Sequence, residues 1–407
     1  MGAGQWRVAF GAHLPYTPLE AKFPQSQYSG EYEMRIAIVG CGFVADLYMK
    51  TLTLHPELEL AGVFDSEQDH AQRFAAYHHA HVYATLEELL ADPQVQIVAN
   101  LTNPNSHYQV SKACLEAGKH VYSEKPLAMD IDEAKHLVSL AEQRGLEISS
   151  APCSLLSETA QTLWKAIRNE AVGKIRVVYA EMDDGLVHLM PYRKWISDSG
   201  APWPYKDEFE IGCTLEHAGY CLTWLAGFFG PATDVTAFAS VQIPDKCSEI
   251  PPQQMGADFS VACIRFASGV VARLTCSLIA PHDHHLRIFG DKGILWTDDT
   301  WLYRSPVYVR KFLTIRRRMM LNPFKRRVPM QGTHLPQPKY RGASHMDFCR
   351  GIAEIADAVQ HKRACRLSGR FSLHVNELAL AIHSAQGGNA YVMTTTFEPM
   401  QPMPWAK

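Results

Sequence analysis

The 407-residue chain contains no uninterrupted apolar run of about 18 residues, so no membrane-spanning helix is predicted. Its start lacks the basic segment followed by an apolar stretch that marks a secretory signal, which leaves the cytosol as the default location. It has no Cys-x-x-Cys spacing; the ten cysteines are scattered and read as reduced and mostly buried. It has no strong excess of charge. A formal net charge of −3 gives no reason to expect a nucleic-acid partner. Residues 1–33 lack any clear period. They read as a loosely docked or disordered arm, or as the product of an upstream start codon with Met34 as the natural start. Acidic residues are missing from 300–346, whereas 310–327 carries eight Lys or Arg. This stretch is expected to be a long loop. Phe312, Leu313, Ile315, Met319, Met320 and Leu321 are interleaved with its charges, so it could touch anionic lipid or a phosphorylated sugar; a mobile loop or subunit contact is the plainer reading.

What is present is apolar residue, at 47 %, enough to bury large cores and to divide a chain of this length into two or more domains. Arg35–Val39 is a short β-rich run that suits a buried parallel strand, and residues 43–54 read as a helix. Strands at Leu60–Phe64, Ile97–Leu101, His120–Tyr122 and Leu146–Ser149 alternate with helical stretches. One of these is capped by Asp130 or Asp132 and ended by Gly145. The alternation predicts a doubly wound parallel sheet over 34–152. After a helix near Glu158–Asn169 the pattern changes to β-rich runs separated by glycine-containing turns, with helices at Thr214–Phe229, Ser344–His361 and Ser372–Ala385. The fold class is therefore α/β plus α+β. A dinucleotide-binding domain (34–152) is followed by a domain on a mostly antiparallel open sheet (153–407).

Gly40-Cys41-Gly42-Phe43-Val44-Ala45 joins the first strand to the first helix. Such a unit needs one glycine for a tight turn, a second so that backbone can approach a pyrophosphate, and a small third residue for helix–strand packing. The N–H groups at the helix start, around Phe43 and Val44, then face the phosphates. Asp65 ends the second strand, 25 residues after Gly40. Its carboxylate can accept hydrogen bonds from ribose hydroxyls and repel a 2′-phosphate, which favours NAD; Ser66 beside it leaves NADP open. Three further segments lie where open α/β sheets bind ligands or where the second domain supplies a helix: Thr102–His107, Glu124-Lys125-Pro126 and Gly212–Tyr220.

With the glycine loop, the N-P-x-x-H segment (Asn103–His107) and the E-K-P segment (Glu124–Pro126), the sequence from about Arg35 to Ala385 resembles the Gfo/Idh/MocA oxidoreductases. The resemblance implies that Thr102, Asn103, His107, Glu124 and Lys125 lie near the cofactor, with Lys125 contacting substrate and nicotinamide ribose. The family's helix motif commonly reads G-x-x-x-D-x-G-x-H. Here Glu216 stands at the acid, Ala218 at the second glycine and Tyr220 at the histidine. A homo-oligomer, dimer or tetramer, joined through the second sheet is also implied.

Oxidising an alcohol removes a hydride from carbon, taken by the nicotinamide, and a proton from oxygen, taken by a side chain. Tyr220 is the expected base, its phenol lowered by the Lys125 ammonium, with Glu216 orienting either group. Glu216 and Tyr220 are four residues apart and share a helical face, while His217 points about 100° away and is the competing base. Arg193, Lys194 and Trp195 are candidate substrate contacts. His78-His79-x-His81 reads as a solvated helix end. No metal is expected: alternating faces of a strand, or a turn, would not gather His282-Asp283-His284-His285 on one ion, and no partner triad is visible. The leading function is an NAD(P)-dependent dehydrogenase acting on a hydroxyl of a sugar, cyclitol or related polyol. The alternatives are an NAD-dependent glycosidase of the same fold, which oxidises, eliminates and reduces again, and a non-catalytic dinucleotide binder.

Overall fold

The computed structural model describes residues 34–338, 345–385 and 387–407; the arm at 1–33 lies outside them. The first unit runs β1 (Met34–Val39), α1 (Phe43–Leu52), β2 (Leu58–Phe64), α2 (Gln68–His78), α3 (Leu86–Ala91), β3 (Ile97–Asn100), α4 (His107–Glu116), β4 (His120–Ser123), α5 (Ile131–Arg144) and β5 (Ile148–Ser150). The five strands are parallel, in the order β2-β1-β3-β4-β5. β1 and β3 are buried on both faces, as unbroken apolar runs in a helix-covered sheet must be. Local capping sets the helix ends. Asp130 accepts from the N–H groups of Asp132 and Glu133 at the start of α5, and Gly145 closes it at φ +65°.

The second unit contains α6 (Glu158–Arg168), β6 (Ile175–Asp183), α7 (Tyr205–Ile211), a π-helical turn at Thr214–Ala218, α8 (Gly219–Phe229), β7 (Ala232–Ser240), β8 (Phe259–Phe266), β9 (Val271–Ser277), β10 (Leu286–Gly290) and β11 (Gly293–Thr297). It continues through β12 (Val307–Ile315), β13 (Arg318–Leu321), β14 (Arg326–Arg327), α9 (Arg350–Gln360), α10 (Gly369–His383) and β15 (Tyr391–Val392). Its ten-stranded sheet runs β13-β12-β11-β10-β6-β9-β8-β7-β15, with β14 on β12. Pairing is antiparallel except between β6 and β9. Helices α6, α8 and α10 pack on one face. The other shows exposed Tyr179, Phe238 and Val271.

One expectation needs correction. The basic stretch is not a long loop: β12 pairs with β11 from Val307 to Lys311, then turns at Arg316-Arg317 into β13. Val307 and Val309 supply alternation that the density of charge hides. Part of the chain after residue 152 packs on the first sheet. α9 lies on β3, β4 and β5, so close that a Cβ at Gly351 would collide with the Tyr122 ring. Asp347, just before it, holds His55 at 3.0 Å and Arg350 at 3.1 Å, and Arg350 reaches Glu158 at 3.0 Å. These buried ions tie the end of α1 to α6 and α9.

Candidate active site

The glycine loop is built for a tight approach. Gly40 has φ +98°, and a Cβ there would stand 2.6 Å from the Leu101 carbonyl oxygen. Gly42 is different: its φ is −83°, and a Cβ would meet nothing within 4 Å. Its lack of a side chain therefore answers to no part of this chain and leaves open space at the N-terminus of α1. Phe43 and Val44 are half-buried there, and Ala45 is fully buried against the sheet. Asp65 accepts from the N–H of Cys41 at 2.8 Å and of Glu67 at 2.9 Å, so its carboxylate is fixed at the loop's edge.

The other predicted cofactor contacts mostly support the walls. His107 is fully buried, with Nδ1 2.6 Å from the Pro126 carbonyl oxygen and Nε2 2.9 Å from that of Thr102. Both ring nitrogens are thus occupied, and burial lowers its pKa despite the two carbonyls. It fastens the loop after β3 to the loop after β4. Thr102 donates its hydroxyl to Asn100 at 2.7 Å, and Asn103 accepts from Ser106 N–H at 3.2 Å. Glu124 turns inward, accepting from the Tyr48 hydroxyl at 2.8 Å and the Lys125 N–H at 3.0 Å.

Lys125 crosses from the end of β4 to the second domain, where its ammonium pairs with the Glu216 carboxylate. Burial works against that charge. Glu216, then Tyr220 and Glu124, outweigh it and hold the amine above the usual lysine range. Tyr220 goes the other way. Burial raises its phenol, and the Lys125 charge only partly offsets this. The expected phenolate is therefore not the resting form, because loss of hydration outweighs the neighbouring ammonium.

The helical-face argument for His217 also fails. Its ring stacks on Trp301 at 6.0 Å while Tyr220 packs on the same indole at 5.1 Å. The π-helical turn at 214–218 widens the spiral just before α8, a distortion common at functional sites. His217 pairs with Glu208 and stands 3.5 Å from Asp184. Burial disfavours its charge, but Asp184 and Glu208 overcome this and raise its pKa to about 9. At neutral pH it is a cation and not a free base.

Arg193, Lys194 and Trp195 are not brought to this cluster. Arg193 is exposed, stacks on Tyr192 and is held by Glu249 through a 3.1 Å Nε contact. Lys194 is exposed, and Trp195 packs on Trp203 at 4.8 Å. Conversely, Asp184, Glu208 and Trp301 have no signal in the sequence, since each reaches the site from a different segment. A small cleft beside Lys125 is lined by Ser150, Gly219, Ser372 and Asn376, between the two units.

Residues 34–151 match the family model described as "Oxidoreductase family, NAD-binding Rossmann fold", and residues 160–296 match that described as "GFO/IDH/MocA C-terminal domain". The chain belongs to the Gfo/Idh/MocA oxidoreductase family. Among its relatives in that family is the trans-1,2-dihydrobenzene-1,2-diol dehydrogenase of Bos taurus, 27 % identical over 266 residues, which are 64 % of this chain and 73 % of that one. Two of the solved structures that share the fold serve as examples. KijD10, a 3-ketoreductase from Actinomadura kijaniata bound to NADP and TDP-benzene, has a TM-score of 0.66 at 20 % identity, covering 87 % of this chain and 98 % of its own. The aldose-aldose oxidoreductase from Caulobacter crescentus, with glycerol, has a TM-score of 0.68 at 17 % identity over 89 % and 100 %. The family binds a nicotinamide dinucleotide in this first unit. The residues here fit one, with open space at Gly42, the start of α1 behind it and the Asp65 carboxylate beside it. Among the described residues no helix is long and apolar enough to cross a membrane, and the ten cysteines are free, with Cys263 alone exposed.

Proposed function

We propose that this Gfo/Idh/MocA member is an NAD-dependent oxidoreductase acting on a hydroxyl or carbonyl carbon of a sugar, cyclitol or related polyol. The observation that carries the reading is the pairing of Lys125 with Glu216 across the two units, with Tyr220 on the following turn and the Trp301 indole as a wall. Asp65 supports NAD over NADP through its fixed carboxylate. The bound dinucleotide supplies or accepts the hydride. Lys125 stays charged because Glu216 holds it so, and it donates a hydrogen bond to the substrate oxygen. Tyr220, resting as a neutral phenol, is suited to give its proton to that oxygen as a carbonyl becomes an alcohol. The electrostatics therefore favour the reductive direction at neutral pH. The apolar faces of Trp301 and Tyr220 suit the C–H surfaces of a polyol ring. Names of relatives that act on a 1,2-diol or an aldose agree with that class. The exposed outer face of the ten-stranded sheet is the proposed contact of a homo-oligomer.

The test is a panel of aldoses, ketoses, cyclitols and vicinal diols, with oxidised and reduced NAD and NADP, followed by nicotinamide absorbance. Turnover of at least one compound is expected, with reduction of its keto form preferred near neutrality. Tyr220→Phe should lower kcat by about 10²- to 10⁴-fold, the usual worth of a positioned proton donor. Unchanged turnover in both Tyr220→Phe and Lys125→Met would remove these residues from the chemistry.

A further inference from the structure

The histidine cluster at 282–285 gains in the structure a partner that its own sequence does not show. Asp183 and Asp283 exchange backbone hydrogen bonds of 3.0 and 2.9 Å in an isolated bridge. That pairing sets Asp184, one residue beyond β6, beside the residues flanking Asp283. His282 and His284 are two apart and fall on one side, with ring centroids 4.0 Å apart, while His285 turns back to Asp283. One donor atom each from Asp184, His282 and His284 lies within 4.8 Å of the others. Two of the three histidines converge, and the acid that joins them, Asp184, comes from another segment, while Asp283 and His285 stay outside the group.

Two further features point to a ligand. His284 is 1 % exposed, and neither ring nitrogen makes a hydrogen bond among the described residues. A buried imidazole held only by long carboxylate contacts is incompletely satisfied, and an unmade hydrogen bond there costs up to about 1–3 kcal/mol. The ring is also oriented. Nε2 stands 3.4 Å from Asp184 Oδ1, and Nδ1 faces Asp299 Oδ1 at 3.9 Å. Asp299 is itself fixed, accepting from the N–H groups of Trp301 at 2.7 Å and Leu302 at 3.2 Å. A carboxylate behind the far nitrogen is the common outer support of a metal-binding histidine. Two ligands at bonds of about 2.0–2.1 Å in a tetrahedral shell are separated by about 3.3–3.4 Å, which matches the Nε2–Oδ1 spacing.

We propose that Asp184, His282 and His284 bind one first-row divalent cation, with Zn²⁺ the best match to two imidazoles and a carboxylate. Three protein ligands leave a coordination position for water or a substrate oxygen. Asp184 Oδ1 faces the cation and Oδ2 faces His217 Nδ1 at 3.5 Å, so the site adjoins the cluster on Trp301. The cation would then hold in place the carboxylate that faces His217. The inference stands apart from the hydride chemistry, because binding is read without turnover.

The test uses the full chain, stripped with a chelator and then titrated with Zn²⁺ or Co²⁺ alone. One equivalent per chain is expected by elemental analysis, with Co²⁺ giving the intense visible bands of a tetrahedral site. His284→Ala should abolish the tight equivalent. His282→Ala, at an exposed residue and therefore safe for folding, should weaken it at least tenfold, and Asp184→Asn should do the same without change of shape. His79→Ala, at an exposed residue just after α2, should leave it intact. No tight uptake by the parent chain, or uptake equal in parent, His282→Ala and Asp184→Asn with folding verified by circular dichroism, overturns the proposal.

Discussion

Glu216→Gln isolates the charge that holds Lys125 protonated. The Lys125 and Glu216 side chains are 20 % and 8 % exposed, so water screens the pair only partly. Two unit charges about 4 Å apart at an effective dielectric of about 20 attract by about 4 kcal/mol. At about 1.4 kcal/mol per pK unit, losing that attraction lowers the amine by roughly 3 units. Burial is the largest influence on Lys125 and disfavours the charge; Tyr220, Glu124 and Glu208 remain to oppose it. The amine of the variant should thus fall back to near the ordinary lysine value of about 10.4 and begin to titrate at the alkaline end of the assay. The parent should show no such ionisation, because its amine lies above the range. The assay is kcat/KM for carbonyl reduction from about pH 7 to pH 11.5, with pK values read as macroscopic. Glu216→Gln should develop an alkaline limb, losing about tenfold per unit above the new pKa. Glu216→Asp keeps the charge and shortens the reach, so it should lower kcat without creating the limb. The variant should also lose about 3 kcal/mol of stability, the low end for a broken buried pair. Profiles of Glu216→Gln and parent that overlay across the range, in a folded protein, would refute the reasoning.

Three further outcomes follow from named contacts. Gly42→Ala puts a methyl where the chain has nothing, so its urea midpoint should match the parent while NADH affinity by fluorescence titration falls about tenfold or more; Gly40→Ala strains a positive φ and should cost about 1–3 kcal/mol as well. Unaltered NADH binding in Gly42→Ala would show that the phosphates lie elsewhere. Asp65→Ser removes the charge that repels a 2′-phosphate, and the NADPH-to-NADH ratio of kcat/KM should rise about tenfold; an unchanged ratio removes Asp65 from cofactor choice. His55 is held charged by Asp347, then Glu57, against its burial, with a pKa raised to about 9. A raised folded pKa stabilises fully below the unfolded value of about 6.5 and fades as pH rises to about 9, a span worth about 3 kcal/mol. The stability difference between parent and His55→Gln should shrink over that window, and a difference independent of pH would break the assignment.

What the sequence reveals of this site depends on how local each device is. Gly40, Gly42 and Asp65 act through backbone shape and strand ends, so spacing alone places them. Lys125, Glu216 and Tyr220 are found by motif, but their ionisation is not. Whether burial or a neighbouring charge wins is decided by packing, and for Tyr220 burial wins. Asp184, Glu208 and Trp301 have no local mark, because β6, α7 and the segment after β11 meet only through the second sheet and the helices it carries. The alternation in β12 is visible, yet composition suggests a loop; pairing with β11 decides the matter.

The fold also explains why the acid and the lysine come from different units. Lys125 ends a strand of the parallel sheet, a position fixed by Glu124 and His107 within the first unit. Glu216 belongs to the π-helical turn that opens α8, and Gly212 before it abuts the Ala257 backbone in the second unit. Neither unit alone neutralises its buried charge. An unpaired buried lysine or glutamate costs several kcal/mol, so the pair favours the arrangement that closes the cleft. Asp347, His55 and Arg350 join the units on another side, and Ser199 reaches Asp46 of α1 at 2.7 Å. These outer ties join the units independently of the Lys125–Glu216 contact. On the proposed function, this cross-unit ion pair is both a tie between the units and the charged donor that the substrate oxygen would meet.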